Sequence, residues 1–430
     1  MGLTQVSTGG VKDDAITKAK IPANQIEASE LADNAVDTNA IANNAITQAK
    51  INVPISNRNL IINGSMQVAQ RATTYTGADN YNTVDRIKTI HSGLNEDVTS
   101  SQHELSSSDT PYSLGFRHSY HIQNGNQSAG AGAEDFLSMQ YRIEAQDLAR
   151  SGWDYKSTSS YVTLSFWVKS SVAQSFGCFL RTHDGSQMTF PFETGALTAD
   201  AWTKITKTIS GNGAISFSTD NGTGIEINIS QFWGTNYTSS GKTLDAWASY
   251  SNDSRLKDFP ASTWYTTNDS TFELTGVQFE VGSVATDFEF RSFAVEKGLC
   301  ERYYQRGRYS SYCQVGTPGT YYFSRGNVPL FTPMRASITG TLNAASSVSN
   351  RYFAFKTWAD QTNVTTAPGS VSFSSRVGDG GDGPHTDVIS VDISATISSG
   401  SSNAPLPANG PGSNNVYPIE YYDVELDSEL

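Results

Sequence analysis

A repeat of five residues near the N-terminus constrains this chain more than any other feature. Ten aliphatic residues occupy every fifth position from Val6 to Ile51, and mostly Ala, Asn, Asp, Thr, Lys and Gln lie between them. Five steps of an α-helix turn through about 140°, so these side chains would spiral around a helix without forming a stripe. Five steps of a strand reverse the side-chain direction, so they would alternate between its two faces. The repeat therefore excludes an ordinary amphipathic helix or strand.

Three arrangements remain for this segment. A single-chain square solenoid is disfavoured, because pentapeptide solenoids resemble Ala-Asp/Asn-Leu-x-x, whereas Ala here falls one place before the centre, as at Ala15 and Ala35. An extended arm that orders only on its attachment partner is a second interpretation. We favour a stalk in which several chains share one aliphatic core, because closed symmetry would bury the repeat on one axis. That core would contain Ile16, Ile21, Ile26, Leu31, Val36, Ile41 and Ile46.

The charge of the chain excludes several classes of partner. With 29 Lys and Arg against 42 Asp and Glu, the formal net charge is −13, whereas nucleic acids and anionic membranes are bound by clustered basic residues. No apolar run approaches the roughly 20 residues that span a bilayer, and the N-terminus has no signal-peptide core. We therefore expect no nucleic-acid partner, no membrane insertion and folding in the cytoplasm. Cys178, Cys300 and Cys313 are expected to be reduced, mostly buried thiols.

Beyond the repeat, short alternating runs separated by Gly, Asn, Asp and Ser predict a mainly β fold. In the run 161–169, we expect Val162, Leu164, Phe166 and Val168 to face the core, with a wetter opposite face. The spacing of runs and turns predicts two antiparallel β-sandwiches of jelly-roll type. The predicted strands are 161–169, 175–182, 202–209, 225–229 and 272–281, followed by 321–325, 336–342, 351–358, 370–376 and 388–397.

One short helix is predicted between the two sandwiches. Ser292 is a good N-cap residue, and we expect the helix to run to about Gln305 with Val295, Leu299 and Tyr303 stacked on one face. The predicted domains are an N-terminal arm or stalk at 1–57, a jelly roll at 58–291, a connector helix at 292–306 and a C-terminal β-sandwich at 307–430.

Several segments of the sequence resemble the receptor-binding tail-fibre proteins of tailed bacteriophages. RNLIINGSMQV resembles the opening N-L-I-x-N-G of that family, and LTGVQFEVGSVATDFEFRS with CERYY resembles the signature that ends its first domain. YNTVDRI is similar to the strand that follows the opening, and VP with PMRA is similar to the start of the C-terminal sandwich. The matching segments lie at 58–68, 81–87, 274–292, 300–304, 328–329 and 333–336.

This resemblance implies a fold, an assembly and a location. The middle domain would be a jelly roll similar to carbohydrate-binding modules. The protein would be a homotrimer on a virion tail, made in the host cytoplasm, with its N-terminus held by a tail or adaptor protein and its C-terminus toward the host. Pentad arms similar to this one occur at the N-termini of such fibres. Residues beyond Gly340 match no pattern of the family, so the resemblance implies no particular receptor.

The sequence gives little support to an enzyme. It contains no G-x-S-x-G, no Walker loop and no H-E-x-x-H. His118 and His121 could hold a metal, but no third ligand has a convincing spacing beside them, and we expect no metal and no cofactor. Asp379 and Asp382, in a Gly-rich loop, could approach a cation or form a solvated turn. Paired carboxylates for glycoside cleavage stay open.

Two sets of aromatic residues are candidates for glycan binding, because a sugar has apolar faces and polar rims. The first is the predicted strand 351–358, on which Tyr352, Lys356 and Trp358 would point outward. The second contains Trp233 and Tyr237 of QFWGTNY. Either set could instead be packed against a neighbouring subunit.

The sequence therefore favours a non-enzymatic phage tail fibre that attaches to a bacterial cell-surface polysaccharide. One alternative is a structural fibre or adaptor that binds only other phage proteins. Another is a polysaccharide depolymerase or deacetylase. The host, the glycan and the tail protein that holds the N-terminus are not encoded in a recognisable pattern.

Overall fold

The computed structural model describes residues 58–77, 80–259 and 263–309, together with segments between 312 and 429. The repeat at 6–51, with its proposed trimer core, lies outside the described residues, as do Tyr352, Trp358, Asp379 and Asp382, so the hypotheses about them stay predictions. The described C-terminal segments are 312–315, 322–329, 331–332, 334–335, 339–343, 353–356, 363–366, 370–375, 388–395 and 422–429.

Two six-stranded antiparallel sheets form the larger part of the described chain, which confirms the mainly β fold. Their order is only partly sequential, because some neighbouring strands are consecutive in the chain and others come from distant parts of it. Sheet A contains, in spatial order, β1 (Thr74–Thr76), β3 (Thr99–Glu104), β4 (His118–Gln123), β12 (Thr271–Val281), β6 (Tyr161–Ser170) and β9 (Thr203–Ser210). Sheet B contains β11 (Ala248–Ser249), β8 (Met188–Ala196), β7 (Ser175–Thr182), β10 (Thr223–Trp233), β5 (Phe136–Glu144) and β2 (Ile87–Ser92).

The core lies between these two sheets and follows from the alternation of side chains along each strand. In β6 the four predicted core residues, Val162 to Val168, are fully buried. The opposite face of β6 is less wet than predicted, because Thr163 and Ser165 are also buried and Thr163 donates a hydrogen bond to the carbonyl oxygen of Gly282 at 2.8 Å. The sequence pattern therefore identified the core face correctly and missed the burial of polar residues on the outer face.

The segment 59–64 lies along the edge of β12 that β4 leaves free, beside the strand in the plane of sheet A. β12 contains a bulge at Gly276, where φ is +62°, and beyond the bulge Leu60 donates to Phe279 while Val277 donates to Gly64, both at 2.9 Å. A Cβ atom on Gly64 would collide with the carbonyl oxygen of Val277. The two strongest matches to tail-fibre proteins, at 58–68 and 274–292, therefore contact each other directly. Glycine is needed at position 64 because the two backbones approach too closely there for a Cβ atom.

Buried side chains complete this contact. The Asn59 amide donates to Val277 O at 3.2 Å, and its oxygen accepts from the backbone of Ile61 and Phe279, each at 3.0 Å. Glu289 accepts from the backbone nitrogens of Arg58 and Asn59 at 2.9 and 2.7 Å. These bonds satisfy backbone groups that no regular ladder reaches.

The connector helix is shorter than predicted, and its buried face differs. The chain forms α1 (Thr110–Ser113), α2 (Ala145–Ala149) and α3 (Phe293–Glu301), with Ser292 at the N-cap of α3. α3 ends well before Gln305, because β13 (Tyr304–Tyr309) pairs with β21 (Tyr422–Asp427). The expected apolar stripe is wrong: Val295 is 53% exposed, and α3 buries Glu296 and Cys300 instead. Glu296 is held inside because it accepts a hydrogen bond from the Asn63 backbone and lies 3.6 Å from Arg291.

The C-terminal part is also built of antiparallel strands. β21 pairs with β13 on one side and with β16 (Thr339–Asn343) on the other. Its end contacts the jelly roll, where Arg71 lies 2.8 Å from Asp427 and Arg86 pairs with Glu429. The other ladders here are β14 (Tyr312–Val315), β15 (Tyr322–Pro329), β20 (Val388–Ala395) and β19 (Ser370–Ser375) in one sheet, and β17 (Phe353–Lys356) with β18 (Asn363–Thr366).

Two further expectations concern cysteines and membranes. Cys178 and Cys300 are free and buried, as predicted, and burial raises the pKa of the Cys178 thiol to about 12. In the described parts of the chain, no helix is long and apolar enough to cross a membrane.

Candidate functional site

The outer face of sheet B carries polar side chains in register across its three central strands. On β10, Ile225, Ile227 and Ile229 point into the core, so the residues between them point outward. The strand register aligns them in cross-strand rows, because each residue of β10 from Ile225 to Ile229 lies opposite one residue of β5 and one of β7. The rows are Arg181–Glu226–Arg142, Phe179–Asn228–Gln140 and Trp233–Phe136, and we call this surface the sheet B face.

Glu226 lies at the centre of the first row and is only 4% exposed. Its carboxylate accepts from Asn228 at 2.9 Å and from Arg142 and His183 at 3.2 Å each. Burial by itself would raise the pKa of Glu226, but the hydrogen bond from His183 and the charge of Arg142 outweigh burial and lower the pKa to about 2. The carboxylate is therefore ionised and fixed, as a group that orients its neighbours must be.

The second row provides amide groups. Gln140 donates to the side-chain oxygen of Asn228 at 3.3 Å. The side-chain oxygens of Gln140 and Gln231 are buried and accept no hydrogen bond from any residue in the described ranges. Buried polar atoms without partners are rare in folded proteins, and they cluster where ligands or solvent complete the bonding.

A cluster of arginines and aromatic rings borders these rows. The Arg181 guanidinium lies 3.8 Å from the centre of the Tyr250 ring. The Arg255 guanidinium lies 4.5 Å from the Trp233 ring, 5.0 Å from the Tyr237 ring and 6.0 Å from the Tyr250 ring. These distances are typical of cation–π contacts. We call Arg181, Arg255, Trp233, Tyr237 and Tyr250 the arginine–aromatic cluster.

Both arginines of this cluster bond to neutral acceptors. Arg181 donates to the side-chain oxygen of Gln187 at 2.8 Å, and Arg255 donates to that of Asn252 at 3.2 Å. Among the described residues, no carboxylate forms a salt bridge with either guanidinium. Burial lowers the pKa of Arg255, and the nearby charge of Arg181 lowers it further. The two cations therefore repel each other, and the ionised Glu226 offsets part of this charge without forming a salt bridge with either of them.

The sequence-predicted candidates occupy different parts of the structure. Trp233 and Tyr237 lie in the arginine–aromatic cluster, but Trp233 is 1% exposed and stacks on Phe136 at 4.4 Å, so its ring faces protein. The role of Trp233 and Tyr237 in glycan binding stays a prediction. In the structure their rings contact and position the guanidinium of Arg255. Lys356 is the last residue of β17, and its neighbours Tyr352 and Trp358 lie outside the described residues. The structure describes no contact between Tyr352, Lys356 or Trp358 and the sheet B face.

Sequence reasoning missed the residues that give the sheet B face its charge. The alternation in GIEINIS and in CFLRT was sufficient to place Glu226, Asn228 and Arg181 on outer faces. Tyr250 and Arg255 come from the irregular segment between β11 and β12, where no periodicity indicates which side chains turn inward.

The outer face of sheet A, which we call the sheet A face, also carries charged residues. Lys169 lies 2.8 Å from Glu273 and 3.4 Å from Asp109, and His103 lies 3.2 Å from Glu273. Burial would raise the pKa of Glu273, but hydrogen bonds from Lys169 and Ser119 lower it. His121, a metal candidate of the sequence, stacks near His103, and burial lowers its pKa. Within the described ranges, no group of His, Cys, Asp and Glu is placed to hold a metal ion.

One open cleft lies at the edge of the sandwich, between β8 and β9. It encloses about 450 Å³ and is lined by residues that include Glu193, Lys204, Lys207 and Asp245. Lys207 and Asp245 pair across it at 3.0 Å, so the charges in this cleft are largely neutralised by each other.

Comparisons with known proteins find only weak likenesses. No protein-family model matches the chain, and no curated protein is similar to it in sequence. The enzymatically active domain of tailspike protein 4 of bacteriophage CBA120 matches with 10% identity and a TM-score of 0.28, over 52% of this chain and 21% of that one. The family 11 carbohydrate-binding module of Clostridium thermocellum, in complex with a mixed-linked tetrasaccharide, matches with 11% identity and a TM-score of 0.23, over 50% of this chain and 98% of that one. An exo-β-agarase matches with 10% identity and a TM-score of 0.26, over 54% of this chain and 25% of that one. Because these identities and TM-scores are so low, we infer function only from the residues of this chain.

Proposed function

We propose that this protein is a non-enzymatic tail fibre of a bacteriophage and that it attaches the virion to a glycan on the surface of a bacterium. We place the glycan on the arginine–aromatic cluster, where Arg181, Tyr250 and Arg255 are partly exposed at the border of the sheet B face. The observation that carries this proposal is the row Arg181–Glu226–Arg142, fixed in register beside the amides of Asn228 and Gln140 and bordered by aromatic rings.

The chemistry of this face suits a sugar. A sugar presents many hydroxyl groups, which pair well with guanidinium, carboxylate and amide groups held in fixed positions. Tyr250 is partly exposed beside these groups and can pack against an apolar sugar face. The floor is rigid, because it belongs to the three central strands of a sheet, and a rigid site loses little entropy on binding.

The other parts of the chain support attachment by their arrangement in the sequence. The repeat at 6–51 is the proposed trimer stalk and the site of attachment to a tail or adaptor protein. Several copies on one particle would convert a weak affinity for one sugar into tight adhesion through effective concentration. Tyr352, Lys356 and Trp358, which the sequence predicts to point outward, are retained as a second candidate surface.

The decisive experiment measures binding of the purified full chain to a panel of bacterial polysaccharides. Tyr250→Ala should weaken binding about tenfold, the magnitude expected for one lost aromatic contact. The matched control is Tyr75→Ala, which removes an exposed tyrosine on β1 at the edge of sheet A and should leave affinity unchanged. Failure of the wild-type chain to bind any glycan, with folding intact, would contradict the proposal.

The same panel separates the remaining alternatives. Unchanged binding by Tyr250→Ala, with loss in Tyr352→Ala and Trp358→Ala together, would move the site to the C-terminal strands. Release of reducing ends or of acetate from a polysaccharide would identify a depolymerase or a deacetylase instead. Binding to phage proteins without any glycan binding would identify a structural fibre.

A further inference from the structure

The charge of the arginine–aromatic cluster differs from that of the rest of the molecule. The chain as a whole carries a formal charge of −13, yet Arg181 and Arg255 contact the same tyrosine ring, and among the described residues neither forms a salt bridge with a carboxylate. The guanidinium carbons of Arg181 and Arg255 lie 3.8 and 6.0 Å from the centre of that ring, so their separation cannot exceed the sum of these two distances. Like charges at such a separation repel each other, and the repulsion is stronger in a partly desolvated site than in water.

Three other buried or half-buried arginines are bonded more fully by the chain itself. Arg302 bonds Glu144 at 2.8 and 2.9 Å, and Arg86 pairs with Glu429. Arg335, which has no carboxylate, donates to three backbone carbonyl oxygens, at Ser428, Asn221 and Glu429. Arg181 and Arg255 instead make one hydrogen bond each, to a side-chain amide. Their lack of partners is therefore a property of this site and is not general to the fold.

The two guanidinium groups also have donors to spare. Each has five N–H donors, and the structure uses one nitrogen of each for a hydrogen bond. The Nε atoms are buried without a partner, whereas the Nη1 atoms are neither bonded nor among the buried orphans, so they reach the solvent. Aromatic contacts hold both groups in place, and a fixed guanidinium fork matches the two oxygens of a carboxylate.

We infer that the arginine–aromatic cluster binds an acidic glycan and that Arg181 and Arg255 receive the carboxylate of a uronic acid. This inference rests on the proposed function and specifies its ligand class. Trp233 and Tyr237 are positioning residues, because their rings hold the Arg255 guanidinium. A neutral glycan would leave the two cations without a salt bridge and would bind more weakly.

The test compares polymers that differ only in charge. Binding of the full chain is measured by calorimetry to polygalacturonate, alginate and hyaluronate, each beside its carboxyl-reduced counterpart, in which the uronic acid has become a neutral sugar. Neutral dextran and dextran sulfate complete the set. We expect at least one acidic polymer to bind about tenfold or more tightly than its reduced counterpart, and the preference to shrink as salt rises.

Variants assign this preference to the two arginines. Arg181→Gln with Arg255→Gln should abolish the preference for the acidic polymer. The matched control is Arg117→Gln, which removes another arginine stacked on a tyrosine, 4.0 Å above the ring of Tyr112, and should leave the preference intact. Circular dichroism and the unfolding midpoint of each variant verify that the fold is kept.

Each possible outcome supports or contradicts a specific claim. Equal binding of the acidic and reduced polymers, or a preference that persists in the double variant, would overturn the acidic-glycan inference and leave glycan binding itself standing. Dextran sulfate binding as tightly as the acidic polymers would overturn the assignment to a carboxylate. Binding of neutral polymers alone would reject the inference, and binding of no polymer at all, bacterial panel included, would contradict the proposed function.

Discussion

The two outer faces of this sandwich differ in how their charges are neutralised. On the sheet A face, Lys169 lies between Glu273 and Asp109, and Asp109 also accepts a hydrogen bond from the Trp202 indole at 2.7 Å. On the sheet B face, Glu226 pairs with Arg142, whereas Arg181 and Arg255 have only neutral acceptors. Both faces come from strands with the same alternation of core and outward residues.

The difference arises from the loops that cover each face. The loop before α1 brings Asp109 to Lys169 and completes the pairing on sheet A. The segment after β11 brings Tyr250 and Arg255 to sheet B and adds a cation beside one already present. A face whose charges are satisfied within the chain is explained by stability, whereas unpaired cations in a partly buried site indicate a ligand.

The largest expected effect is on the sheet A face. Glu273→Ala should destabilise the fold by about 4 kcal/mol, because it leaves Lys169 and His103 without their shared carboxylate in a partly buried site. Urea denaturation of both proteins gives the free energy of unfolding. The control is Gln123→Ala, which removes a side chain from the same face of sheet A on the neighbouring strand β4. It should lower the free energy of unfolding far less. A loss below about 1 kcal/mol for Glu273→Ala would mean that the sheet A face is not held by its ion pairs.

The second prediction concerns Glu226, the acid at the centre of the row Arg181–Glu226–Arg142. In the folded state the pKa of Glu226 is lowered from its ordinary 4.5 to about 2. The folded state therefore keeps Glu226 ionised where the unfolded chain protonates it, so its contribution is complete above about pH 4.5 and is lost as pH falls toward 2. The contribution amounts to about 3 kcal/mol.

Glu226→Gln should remove this part of the acid sensitivity. The difference in unfolding free energy between pH 7 and pH 3 should be smaller in the variant than in the wild type, and Glu104→Gln, at the exposed end of β3, should leave it unchanged. An unchanged pH dependence in Glu226→Gln would show that Arg142 and His183 do not stabilise this carboxylate.

The sequence predicted the sandwich better than it predicted its charged surfaces. β7 has the predicted bounds, and β6 extends one residue past them, because period-two alternation directly reports a half-buried strand. β8 was missed, although it is a long strand, because it contains Pro191, which normally argues against a strand away from an edge. The proline is tolerated because β11 pairs with β8 only at Met188 and Thr189.

The candidate site was only partly predictable, for a physical reason. Trp233 and Tyr237 were identified by residue type, and the structure places them beside Arg255 rather than facing solvent. Their exposure depends on the fold of the segment 234–259, which has no periodic pattern. The predicted apolar stripe on α3 is wrong for a similar reason. Asn63 and Arg291 bind Glu296, so the helix turns Glu296 inward and leaves Val295 exposed.

The smallest expected effect gives the sharpest test of the comparison between the two faces. Lys169→Gln removes a cation that has two carboxylate partners and should cost about 2 kcal/mol of unfolding free energy. Arg181→Gln removes a cation that forms no salt bridge. The lost contact with Tyr250 and the lost hydrogen bond to Gln187 are offset by relief of the repulsion from Arg255, so the change should be within about 0.5 kcal/mol. Both values come from the same denaturation experiment. If Arg181→Gln costs as much as Lys169→Gln, the guanidinium has a stabilising partner within the chain, and the sheet B face has no surplus charge to offer a ligand.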